Sequence, residues 1–173
     1  MLSEGFDPAQ SPGSALREGL RARLGAVAES APDGLEAALA ALAAPDAEWR
    51  AAHPMNAMQG QAAARAAIWE PLKRALPDLE RRDLIFCAGN WKGRAMVAAM
   101  GHYCGTWRAD WRGIPATGKT LSLRFGEVWE LDASGRVIRA NLLWDVLDAM
   151  RQAGVWPLAP SLGVEEMWQA PVT

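Results

Sequence analysis

In the segment TLSLRFGEVWEL, residues 120–131, apolar side chains recur at every second position, and Glu127 takes one of the places in that row. Period two is strand periodicity, so Leu121, Leu123, Phe125, Glu127, Trp129 and Leu131 share a face. A carboxylate in an apolar row is costly unless it is paired or neutralised. Burial of this kind is also how a glutamate becomes an acid or base near neutral pH. The open alternative is a bulge at Gly126 that turns Glu127 to solvent, because glycine in a strand often marks one. His53 is the second candidate. It closes EWRAAH, read as a short strand with Trp49, Ala51 and His53 on one side. Histidine can shuttle protons near neutral pH, or can be a hydrogen-bonded structural group. His102 and Tyr103 are adjacent in a strand, so at most one of them lines a given face. Asn141, at the end of another strand, is a weaker polar candidate. Arg124 lies between the apolar positions and is expected to be exposed.

A second stretch matches a phosphate-loop pattern by letter: GIPATGKT, residues 113–120. Such a loop requires a helix that starts at Lys-Thr, so that backbone N–H groups and the helix N-terminus hold phosphate. Here Lys119-Thr120 opens the alternating strand. The crossover that would link it to the Asp-ended strand NLLWD, residues 141–145, is also missing. The motif therefore reads as a connection between two long strands, not as a nucleotide site.

The chain of 173 residues fits one domain, with residues 1–13 as a loose tail and 14–173 as the body. Net charge is −2, which points to neither nucleic acid nor an anionic membrane as partner. No apolar run reaches the roughly 18 residues of a membrane span, and the N-terminus does not read as a signal peptide, so the expected location is cytoplasmic. Two cysteines, Cys87 and Cys104, have no metal-ligand spacing and are expected to be buried free thiols; with only two histidines, a metal site is not expected. Nine tryptophans in so small a chain suit a pocket for a flat, largely apolar ligand.

The elements that must position these groups follow from periodicity. Helical spacing of Leu16, Leu20, Leu24 and Val27 is followed by an Ala/Leu-rich helix over 35–42, which APDAEW ends. A helix then opens at Gly60-Gln61 and runs through Ile68 and Leu72. From about residue 82 the period becomes two: a strand turning at Gly89-Asn90, a long glycine-interrupted strand, the strand at 121–131, a DASG turn and RVIRANLLW. A short helix over 145–152 ends at Gly154, with Asp145 as its N-cap and Asp148 in a capping-box position. The tail beyond it is expected to pack across the body. Helices first and hairpin-linked strands after give an α+β layout.

The ordered motifs GTWRADWRGIPATGK, an alternating strand, ASGRV, a strand ending in Trp-Asp, and Gln152-Ala153-Gly154 resemble the SnoaL-like polyketide cyclase and ester cyclase family over about residues 35–157. The resemblance implies a nuclear transport factor 2-like cone: N-terminal helices on a strongly curved antiparallel or mixed sheet that encloses one pocket. It also implies a homodimer through the open sheet face and acid/base chemistry without metal or cofactor, on a small hydrophobic or aromatic ligand. Family patterns place a catalytic Asp where this chain has Leu142 and a partner His where it has Glu127; the His of a Gly-Thr-His motif is Trp107. The site expected here is therefore Glu127 with His53, walled by Trp129, Trp144, Trp107, Leu142, Phe125, Tyr103 or His102, and Asn141. The alternative is a non-catalytic binder of the same fold.

Overall fold

The computed structural model describes residues 13–159. Helix α1 (Ser14–Glu29) buries Leu20, Leu24 and Val27 along one stripe, and α2 (Leu35–Leu42) buries Leu35, Leu39 and Leu42. Both stripes have the spacing of amphipathic helices. The next helix runs in three pieces: α3 (Gln61–Ala64), a π-helical turn (Arg65–Trp69) and α4 (Glu70–Ala75). Pro71 accounts for the widened turn. It has no N–H for the carbonyl four residues back, and its ring crowds that carbonyl. The preceding Glu70 N–H reaches Arg65 O, five residues back. The last described helix, α5 (Val146–Gln152), is capped as expected: Asp145 accepts from the Asp148 N–H at 2.9 Å.

Six strands form one open mixed sheet: β1 (Ala43–Ala51), β2 (Ala57–Gln59), β3 (Glu80–Trp91), β4 (Arg94–Thr106), β5 (Thr120–Leu131) and β6 (Val137–Trp144). Their spatial order is β2-β1-β6-β5-β4-β3. Only β1 and β6 pair in parallel. The sheet and its helices make the α+β cone. The row in β5 points inward as its period requires, with Leu121, Leu123, Phe125, Glu127, Trp129 and Leu131 all buried. Pairing runs unbroken past Gly126, which faces Met100 on one side and Leu143 on the other. The bulge lies instead in β3, between Asp83 and Ile85. Gly101 sits across from it on β4. A Cβ at Gly101 would collide with the Arg82 carbonyl oxygen and stand 2.9 Å from Phe125 Cζ. Glycine there lets the irregular strand and an aromatic ring both approach the backbone.

Several local expectations are corrected. The β3–β4 turn is at Lys92-Gly93, with φ of 51° and 77°, not at Gly89-Asn90. Two left-handed residues are what a two-residue hairpin loop needs to match strand twist. Strand β1 starts at Ala43 rather than at Glu48, because the register with β6 shifts between those two residues and absorbs Pro45 outside the ladder. His53 lies beyond the end of that strand. Cys104 is buried, but Cys87 is exposed, on the sheet's outer face. Beyond α5, Val155, Trp156 and Leu158 are exposed, and the rest of the tail lies outside the described residues. No described helix is long and apolar enough to cross a membrane.

Candidate active site

The inward face of the sheet carries one cluster of ionised groups. Glu127 on β5 is paired in register with Ala99 of β4 and Leu142 of β6. Its Oε2 accepts from Arg81 Nη1 at 2.7 Å. Its Oε1 accepts from Trp144 Nε1 at 2.9 Å and from the Tyr103 hydroxyl at 3.2 Å. Arg81 Nη1 also donates to the Tyr103 hydroxyl, at 2.5 Å. The other side of the guanidinium meets Asp83: Arg81 Nε donates to Oδ1 at 2.9 Å. Asp83 in turn faces Arg21 of α1 at 3.6 Å. Charges thus alternate from the interior to the surface as Glu127, Arg81, Asp83 and Arg21. The side chains of Glu127 and Arg81 are 0% and 2% exposed, whereas that of Arg21 is 45% exposed.

Aromatic rings enclose this cluster. Arg81 lies over Phe125, 4.2 Å from the ring centroid, and more loosely over Tyr103. Trp69, delivered by the π-helical turn, meets Tyr103 and Trp144 edge-on, with centroids 6.0 and 5.9 Å away. Trp111, from the β4–β5 connection, packs on Trp144 at 6.5 Å. Trp49 and Trp129 form a separate edge-to-face pair. Such contacts add to the burial of each ring and hold it in one orientation.

Burial shifts two of the titratable groups. The Tyr103 hydroxyl is pushed well above its ordinary value, mainly by burial; Arg81 opposes that shift and Glu127 adds to it. It therefore remains a donor. Burial alone would lower the Arg81 guanidinium, but Tyr103, Glu127 and Asp83 more than offset it, so Arg81 is held charged. A buried pair of this sort is a weak source of net stability. Removing one partner, however, typically costs about 3–5 kcal/mol, because the other charge is left stranded.

The site residues expected from sequence divide between the two faces. Glu127, Tyr103, Phe125, Trp129, Leu142 and Trp144 come together on the inner face, and all are buried. Trp107 is buried too, at the end of β4, where its indole N–H is taken by the Ala109 carbonyl. Leu142 lies directly across from Glu127, so the two positions that the motif resemblance singles out are cross-strand neighbours. His53, His102 and Asn141 are elsewhere. His102 and Asn141 face outward with Arg124 and Val128 as their register partners. His53 is exposed and lines a groove of about 740 Å³ between α5 and the outer face of the sheet. Arg124, Met100, Leu143, Leu147 and Met150 share that groove. Glu127 and His53 therefore do not form a pair. Sequence reasoning does not name Arg81, the partner that Glu127 does have, and the sequence carries only a general pointer to it. Arg81 and Asp83 stand two apart in a strand, so they share a face, and a buried carboxylate needs a cation.

Four of the amides under the phosphate-loop letters are already engaged within the protein. The Ile114, Ala116, Gly118 and Lys119 N–H groups donate to Trp111 O, Asp110 Oδ1, Trp107 O and Thr117 Oγ1. Lys119 is followed by β5, not by a helix. Among the described residues, no group of three or more His, Cys, Asp or Glu side chains could hold a metal ion.

Comparison with family models matches residues 20–140 to the SnoaL-like domain. The chain belongs to the SnoaL-like family. Solved SnoaL-like and related structures share the fold at low identity. A candidate SnoaL-like polyketide cyclase from Jannaschia sp. CCS1 is 21% identical, with a TM-score of 0.65 over 89% of this chain and 100% of its own. IdmH, a candidate polyketide cyclase from Streptomyces antibioticus, is 17% identical, with a TM-score of 0.62 over 79% of this chain and 99% of its own. An NTF2-like protein from Burkholderia pseudomallei is 16% identical, with a TM-score of 0.55 over 77% and 95%. No curated protein matches the chain. The SnoaL-like cone expected from the motifs is thus the fold observed.

Tyr103 is the chain's single tyrosine, so its ionisation can be followed alone. A raised native pKa means that stability contributed by the neutral hydroxyl is present below the unfolded value of about 10 and is lost as pH rises above it. The phenolate absorbance band should therefore stay absent in the folded protein well above that pH and appear together with unfolding. A reversible titration near pH 10 in folded protein would show that Tyr103 is not buried in this network.

Proposed function

We propose that this SnoaL-like protein catalyses cofactor-independent proton transfer on a small hydrophobic or aromatic carbonyl compound, in a cyclisation, isomerisation or hydration. The observation that carries the reading is the grouping of Glu127, Tyr103 and Arg81 as one polar centre inside an otherwise aromatic interior. Each group has a distinct task in such a reaction. Glu127 is the carboxylate that takes and returns a proton at carbon. The Tyr103 hydroxyl, kept protonated by burial, and the Arg81 guanidinium are donors for the oxygen on which negative charge develops. Trp144 and Phe125 hold Glu127 and Arg81 in place. His53 is assigned no part in this step, since it lines the outer groove.

Two features favour a second reading, a binder that catalyses nothing. The catalytic Asp implied by the motif resemblance is Leu142, and both oxygens of Glu127 are already satisfied by protein donors. The readings separate on proton exchange at the α-carbon of acetophenone in deuterated water, a minimal form of the chemistry. The enzymatic reading expects protein-dependent exchange that falls about a hundredfold or more in Glu127→Gln, in line with the usual worth of a general base. Circular dichroism checks that the variant is folded. Exchange that is no faster than buffer, or that is unchanged in the variant, would favour the binder.

We also propose a homodimer through the outer sheet face. That face exposes Ile85, Met100, Val128 and Leu143, with Leu143 at 69%. A contiguous apolar patch of this kind on a soluble chain marks an interaction surface. Light scattering should give twice the monomer mass, and Leu143→Arg should reduce it to one; a monomeric wild type removes the proposal.

A further inference from the structure

Four indole N–H groups in the interior have no acceptor: those of Trp49, Trp69, Trp111 and Trp129. Two guanidinium nitrogens, on Arg65 and Arg81, also lack a hydrogen bond, but each lies within ion-pair distance of a carboxylate, Glu70 at 3.1 Å and Asp83 at 2.9 Å. The indoles have no such compensation. Buried polar groups are ordinarily paired, so each exception calls for an explanation. The pattern is one-sided. Among the described residues, every buried side-chain atom left without a partner is a donor nitrogen, and none is an acceptor.

That asymmetry limits what could complete the site. A water molecule accepts but also donates, and among the described residues each buried side-chain acceptor already holds at least one partner, so its protons would have to share one. An alcohol has the same difficulty with one proton. A ketone, ester or ether oxygen accepts and donates nothing. Two of the four indoles, Trp69 and Trp111, pack on Trp144, whose own N–H is spent on Glu127. They are therefore the rings with orphaned donors that touch the polar centre's own indole. Trp69 reaches that place from the π-helical turn, a distortion that recurs at functional sites. Trp111 comes from the β4–β5 connection, so the chain holds the two donors from independent elements.

We infer that Trp69 and Trp111 are ligand-binding residues whose indole N–H groups receive an aprotic oxygen acceptor, a ketone, ester or ether on an apolar body, next to Glu127. This rests on the interior site proposed above but does not depend on turnover there. The ligand's oxygen edge faces the indoles and its apolar body lies among the surrounding rings. The inference assigns no proton transfer to either tryptophan.

The test is indole N–H nuclear magnetic resonance on 15N-labelled full-length protein, with three matched probes: acetophenone, its reduced alcohol and ethylbenzene. Trp→Phe variants assign the resonances. The expected order of affinity is ketone, then alcohol, then hydrocarbon, with about tenfold or more between the first and last, because a site built to hydrogen-bond rejects an analogue that lacks the group. The ketone should move the Trp69 and Trp111 resonances, while those of Trp107 and Trp144, whose donors are already used, stay in place. Trp69→Phe and Trp111→Phe should each weaken ketone binding by a larger factor than ethylbenzene binding. The wild-type spectra decide the matter even if a variant fails to fold. Equal affinity for ketone and hydrocarbon, no binding by any probe, or Trp69 and Trp111 resonances that lie at upfield positions over aromatic rings and ignore every probe would overturn the inference. Loss of acetophenone exchange in Glu127→Gln with unmoved indoles would remove this inference alone; moving indoles without exchange would remove the acid/base reading alone.

Discussion

The ion pair between Glu127 and Arg81 constrains everything around it. Neither charge can be taken out of water alone, and each is nearly or fully excluded from it. The carboxylate is placed by the period of β5, and the cation by the stretch of β3 just before its bulge. They meet across β4, where Gly101 keeps the backbone thin enough for Arg82 and Phe125 to approach. Asp83 and Arg21 then carry the balance of charge outward to α1. One helix and two strands, separated by an intervening strand, are tied together through four side chains.

An ion pair of this kind seldom repays its own desolvation. Yet its setting is costly in another way as well: the interior spends large, rigid aromatics on enclosing it and leaves several of their N–H groups unpaired. Both features are easier to understand in a site than in a core assembled for stability. Strain and unsatisfied polar groups gather where function requires them and are compensated elsewhere. Here the compensation is the leucine packing of α1 and α2 beneath the sheet.

The fold was readable because its signals are local and redundant. The β5 row shows period two over six residues, the α1 stripe shows helical spacing, and Asp145 with Asp148 has the spacing of a cap. Glu127 could be placed on the β5 row but not aimed, since Gly126 allowed a bulge; the pairing of Gly126 with Met100 and Leu143 settles that it faces inward. What could not be read depends on distance in sequence. Arg81 and Glu127 are 46 residues apart, and nothing local in either segment names the other. His53 misled for the opposite reason. The alternation of EWRAAH extends to it, but β1 ends at Ala51, and the next residues turn outward. The π-helical turn at Trp69 also follows from one proline whose effect on the helix ahead of it has no signature in the apolar period.

The central claim is that the pair exists for chemistry rather than for stability. The measurement that tests it most directly is the double variant Arg81→Met/Glu127→Leu, assayed for both urea denaturation and acetophenone exchange. Apolar replacement of both partners removes the two deeply buried charges and leaves Asp83, 9% exposed, with Arg21 at 3.6 Å. Stability should therefore fall by less than the roughly 3–5 kcal/mol that stranding one partner of the pair costs, together with complete loss of exchange. A double variant that still exchanges at the wild-type rate would contradict the account.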